Sequence, residues 1–85
     1  MALFVIERNF AEQLDPETLD RAGIKAVNDD VGIQWLYSFL SADKKKTYCL
    51  YEAPNVETIR AAARRANLPA DAIIEVSEVR PELLV

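Results

Sequence analysis

The chain has no histidine, and its 85 residues include one cysteine, one tryptophan and two glycines. Each shortage excludes something. Without histidine, the commonest general base and the commonest transition-metal ligand are missing. With only Gly23 and Gly32, there is no glycine-rich loop to cradle a phosphate. Cys49 has no partner for an internal disulfide, which fits a reducing cytoplasm. There is no Cys-x-x-Cys pair, no nucleophile elbow and no metal-binding helix motif. Basic charge is scarce as well: 10 Lys and Arg stand against 14 Asp and Glu, a net charge of −4. A nucleic-acid-binding face needs a surplus of clustered cations, so nucleic acid is not an expected partner. Lys44-Lys45-Lys46 and Arg64-Arg65 read as solvated surface. No apolar run approaches the length of a membrane span, and the first residues lack the charge-then-apolar order of a signal peptide. One cytoplasmic domain over residues 1–85, with no membrane contact, is the expectation.

What the chain has in abundance is strand residues that are apolar on both sides. Leu3-Phe4-Val5-Ile6 has no polar face, and Ile33 to Leu40 alternates aromatics with Leu36 and Leu40 as well as with Gln34 and Ser38. Successive strand side chains point to opposite sides, so a strand with one wet face should alternate cleanly. Something must cover the second face: a partner chain, a ligand, or both.

Four strands are expected, at about Leu3–Arg8, Ile33–Leu40, Thr47–Glu52 and Ala72–Val79. Asp15-Pro16-Glu17 carries a helix-start signature, and Asn28-Asp29-Asp30 with Gly32 a stop. Asn55 is the expected cap of a second helix, whose apolar face is Val56, Ile59, Ala63 and Ala66. Asn67 and Pro69 end it. The order β-α-β-β-α-β predicts an α+β, ferredoxin-like fold: a four-stranded antiparallel sheet with two helices on one face.

Sorting the strand residues by parity predicts a helix-covered face of Phe4, Ile6, Leu36, Leu40, Tyr48, Leu50, Ile74 and Val76. The other face would hold Leu3, Val5, Glu7, Ile33, Trp35, Tyr37, Phe39, Thr47, Cys49, Tyr51, Ile73, Glu75, Ser77 and Val79. Apolar surface with a few convergent polar groups is the usual makeup of a small-molecule site, and equally of a dimer interface with a polar rim. Glu7, Trp35, Tyr37, Cys49, Tyr51 and Glu75 are the candidate ligand-binding residues. Glu7 is the expected polar centre, because a carboxyl among aromatics can act as acid, base or metal ligand. Cys49, with no histidine to activate it, reads as a small hydrophobe or a soft metal ligand rather than a nucleophile. Leu83-Leu84-Val85 is apolar enough to pack on a partner.

Three stretches carry a resemblance: Leu3 to Phe10 (LFVIERNF), Lys46 to Pro54 (KTYCLYEAP) and Ile59 to Asp71 (IRAAARRANLPAD). Together the chain resembles a small bacterial ferredoxin-like family, largely of undefined function, that includes an actinobacterial nickel-binding protein. The resemblance implies a homodimer closed sheet to sheet, as a dimeric α+β barrel. It also implies a divalent metal such as nickel as a candidate cofactor, for which Glu7 and Cys49, with Glu75, are the available donors. The family pattern places a histidine near Ala62, where this chain has alanine. Two functions are therefore in view. One is a dimeric binding protein for a metal ion or a small organic ligand. The other is a cofactor-free isomerase or monooxygenase-like enzyme with Glu7 as the proton-transfer group and Tyr37 or Tyr51 orienting the substrate.

Overall fold

The computed structural model describes the backbone of residues 1–83 and the side chains through Glu82; Leu84 and Val85, with the Leu83 side chain, lie outside it, and so does the packing expected of that terminus. Strands β1 (Ala2–Asn9), β2 (Gln34–Leu40), β3 (Lys46–Ala53) and β4 (Ala72–Val76) form one sheet in the order β2-β3-β1-β4. Every neighbouring pair is antiparallel. Helices α1 (Arg21–Val31) and α2 (Val56–Arg65) connect the strands in the β-α-β-β-α-β order and pack against the sheet and each other. The ferredoxin-like expectation holds.

Local chemistry explains the helix boundaries. Asn55 Oδ1 accepts from Thr58 N at 2.8 Å and from Thr58 Oγ1 at 2.7 Å, satisfying a free amide at the start of α2. Glu57 in the first turn and Arg64 and Arg65 in the last suit the helix dipole. Asn67 takes the left-handed conformation expected of it, at φ 55°. The start of α1 differs from expectation. Asp15-Pro16-Glu17 nucleates only a single 3-10 turn, Pro16–Thr18, and the helix proper begins where Asp20 accepts from Gly23 N at 2.9 Å. The stop also moves: Asn28, Asp29 and Asp30 lie inside α1, which ends when Gly32 turns left-handed at φ 75°. β4 ends at Val76, short of Val79, so Ser77 and Val79 belong to neither face.

The core forms between sheet and helices from Phe4, Ile6, Ile33, Cys49, Tyr51, Ala53, Ile59 and Ala62. Here the expected faces need correction. Phe4 and Ile6 are beneath the helices as anticipated, but their cross-strand partners are Tyr51 and Cys49 on β3 and Glu75 and Ile73 on β4. Directly paired residues share a face. Tyr48, Leu50, Ile74 and Val76 therefore belong with Leu3, Val5 and Glu7 on the opposite, open face. Alternation within a strand says which residues travel together, not which side they take. β2 adds a second complication. A bulge between Trp35 and Tyr37 pairs Trp35 with Tyr51 but Tyr37 with Leu50, so these two aromatics part company. The open face thus carries Tyr37, Phe39, Tyr48 and Ile74, all exposed.

Candidate functional site: a cavity between sheet and helix

A cavity of about 320 Å³ lies on the helix side of the sheet. That volume is at the lower end of small-molecule pockets. Its floor is made by the three strands β1, β2 and β3, through Arg8, Trp35, Ser38, Thr47, Cys49 and Tyr51. Its walls are mostly apolar, Phe10, Leu14 and Leu19 from the β1–α1 connection, Ile24 from α1, and Leu68 from the turn after α2, with Arg21 at the start of α1 the one charged residue among them. The connection is held in place by backbone bonds from Phe10 N to Lys45 O at 2.8 Å and from Leu14 N to Lys44 O at 2.7 Å. These bonds seat the segment beside the β2–β3 hairpin, which is why it closes one side of the cavity.

The floor is ordered. Trp35 and Tyr51 face each other across β2 and β3 with ring planes 7° apart and centroids 6.4 Å apart. Trp35 Nε1 donates to Ser38 Oγ at 2.8 Å. The Arg8 guanidinium donates to the Pro69 carbonyl and lies 6.0 Å from the centre of the Tyr51 ring. Arg8 is only 4% exposed. Burial pushes the Tyr51 phenol above its ordinary value of 10.0, against the opposing pull of the Arg8 charge, so Tyr51 stays protonated and able to donate at neutral pH. The Cys49 thiol, buried beside Thr47 at 3.7 Å from Oγ1, packs as a small core residue.

The predicted site residues are divided between two surfaces. Trp35, Cys49 and Tyr51 meet in this cavity. Glu7 and Tyr37 lie on the open face, where Glu7 is half-buried with Lys46 Nζ at 3.8 Å. Glu75 pairs with Phe4 on edge strand β4 and is exposed. Glu7 keeps the face expected of it, but Trp35, Cys49 and Tyr51 pair into the face of Phe4 and Ile6, so Glu7 is not the centre of that aromatic set. Arg8 is the residue the sequence reading missed. Its signal was present: it continues the Phe4, Ile6 alternation into the core. A second, larger groove of about 700 Å³ runs along α1, but it is broad and bordered by exposed Arg21, Lys25 and Asp29, the last two paired with each other.

The chain is thus a small ferredoxin-like α+β protein with a cation-floored cavity between its sheet and helices. The chain belongs to the family described as nickel responsive protein, SCO4226-like, which matches residues 4–76. Among solved structures it is similar to SCO4226 from Streptomyces coelicolor A3(2), with 25% sequence identity and a TM-score of 0.80 over 93% of this chain and all of the other (100%). No curated protein matches it in sequence. The family's name raises nickel, and the donors of this chain can be tested against it. Cys49 is beneath the helices, Glu7 is on the other side of the sheet, and Glu75 is at an edge. Among the described residues no three His, Cys, Asp or Glu side chains converge. Ala62 is buried in the core. The donor set does not fit a nickel centre within one chain.

Proposed function

We propose that this protein binds a small organic ligand in the helix-side cavity and associates through its open sheet face as a homodimer, a dimeric α+β barrel. The observation that carries the binding reading is the cavity itself: mostly apolar walls over a floor with a few fixed polar groups, the makeup of small-molecule sites. The dimer reading rests on the open face, where Phe39 is 64% and Tyr37 52% exposed, an unusual exposure for two large aromatics side by side. A reducing, cytoplasmic location goes with the unpaired thiol of Cys49, and among the described residues no helix is long and apolar enough to cross a membrane. The enzyme reading is weakened because Glu7 does not border the cavity.

The test uses the single tryptophan. Trp35 is in the cavity floor, so occupancy should change its emission directly. Titration with small aromatic and short-chain aliphatic compounds is expected to give a saturable change. If none produces one up to millimolar concentration, the cavity is only a packing defect and the reading is wrong.

A further inference from the structure

We propose, building on the binding reading above, that the cavity selects an organic monoanion, a carboxylate on an apolar body, with Arg8 as the charge anchor. The first ground is charge placement. Of 14 acidic residues in the chain, none lines the cavity, while Arg8 and Arg21 both do. In a protein of net charge −4 that is a local reversal of sign.

The second ground is the state of Arg8. It is 4% exposed, and a guanidinium cannot shed its proton in a protein. Among the described residues the ion pairs use Lys25, Lys46, Arg65 and Arg80; Arg8 has no carboxylate in reach. The Pro69 carbonyl and Tyr51, through its ring and its phenol oxygen, compensate part of the burial, but a buried cation without a counter-charge is costly. After Phe4 and Ile6 an aliphatic residue would continue the core at no such cost. An arginine at this position makes sense when an anion completes it, since its planar fork matches a carboxylate in two parallel bonds.

The third ground is the polarity of the neighbouring hydroxyls. Ser38 Oγ accepts from Trp35 Nε1 at 2.8 Å, and Thr47 Oγ1 accepts from the Cys49 thiol at 3.7 Å. A hydroxyl whose acceptor side is engaged retains its O–H to donate. The floor therefore presents donors, and the walls formed by Phe10, Leu14 and Leu19 present only hydrocarbon. Donors below and hydrocarbon around describe an acid headgroup on an aryl or alkyl body.

The experiment compares acids with their uncharged amides on the full chain. Trp35 emission is titrated with 3-phenylpropionate and octanoate, and with 3-phenylpropanamide and octanamide. The acids are expected to bind about tenfold to a hundredfold more tightly than the amides, the worth of a charge-assisted bond. In Arg8→Gln that preference should disappear, and in Arg8→Lys it should shrink. The preference in the unaltered protein needs no variant, so it decides the matter even where Arg8→Gln misfolds. Amides that bind as well as acids overturn the anion assignment and leave the binding reading standing. A preference that survives in a folded Arg8→Gln protein removes Arg8 from the role. Failure of all four compounds to bind overturns the binding reading together with this inference.

Discussion

Truncating Phe39 to alanine should weaken the proposed sheet-to-sheet dimer without unfolding the chain. Phe39 is on the open face, 64% exposed, with its ring set edge-on to Tyr37 at 5.6 Å between centroids. An aromatic side chain can bury roughly 150–250 Å², which leaves about 100–160 Å² of Phe39 uncovered in each copy. Two-fold symmetry counts the residue twice. If half of that surface is covered on association, roughly 100–160 Å² is involved per dimer, about 2.5–4 kcal/mol at ~25 cal/mol/Å². The cost of bringing two chains together is common to both proteins and cancels in the comparison. Phe39→Ala should therefore raise the dimer dissociation constant by roughly two to three orders of magnitude. Sedimentation velocity across nanomolar to high micromolar concentration reads this directly, with circular dichroism to confirm that the fold is kept. A native chain that sediments as a monomer at micromolar concentration refutes the reasoning. So does a Phe39→Ala protein that dimerises as well as the native one.

Three further outcomes are expected. Ile59 is 1% exposed in the core under α2, so Ile59→Ala should cost about 2–5 kcal/mol in denaturant unfolding; a loss below about 1 kcal/mol would mean that this helix is not packed as described. Burial raises the Tyr51 phenol above 10.0. Its contribution to stability is then complete below the unfolded-state value and lost as pH rises through the folded one. Melting temperature should accordingly fall above about pH 10 and fall less in Tyr51→Phe, and identical pH profiles for the two proteins would contradict the assignment. With nickel, calorimetry of untagged protein should show no tight stoichiometric uptake, because Glu7 and Cys49 are on opposite faces of the sheet. Stoichiometric binding would mean that donors from two chains combine at the interface.

Much of the fold was legible because it rests on local rules. The Asn55 cap, the left-handed Gly32 and Asn67, and the alternation of β1 each follow from a few adjacent residues. The faces were not legible, for a physical reason. Period-two alternation groups Tyr48 with Leu50 and Cys49 with Tyr51, but only cross-strand register decides which group meets the helices. Both groups are apolar here, so hydrophobicity could not decide between them. Nor did anything in Trp35-Leu36-Tyr37 announce the bulge that sends the two aromatics apart. Asp15-Pro16-Glu17 misled because the preferences that start an α-helix also serve a single 3-10 turn. Asp20, the actual cap, has the same chemistry five residues later.

The division of labour between the two faces comes down to one pair of neighbours. Glu7 and Arg8 are adjacent on β1, and alternation must send their opposite charges to opposite sides. Glu7 goes to the open face, where Lys46 at 3.8 Å and solvent attend to it. Arg8 goes beneath the helices, where among the described residues it has no carboxylate partner. The reverse arrangement would put a carboxylate under the helices and a cation beside Lys46. The alternation of β1 predicts the observed split correctly; what it does not predict is that Trp35, Cys49 and Tyr51 join Arg8 rather than Glu7. The observed register instead makes the open face an apolar surface with a compensated ion pair, suited to a second copy. It makes the covered face a cavity whose buried cation is met by the Pro69 carbonyl and the Tyr51 ring, and by no carboxylate among the described residues. Both properties follow from Phe4 and Ile6 going inward. Two buried hydrophobes therefore set the sign of the charge at the end of the strand.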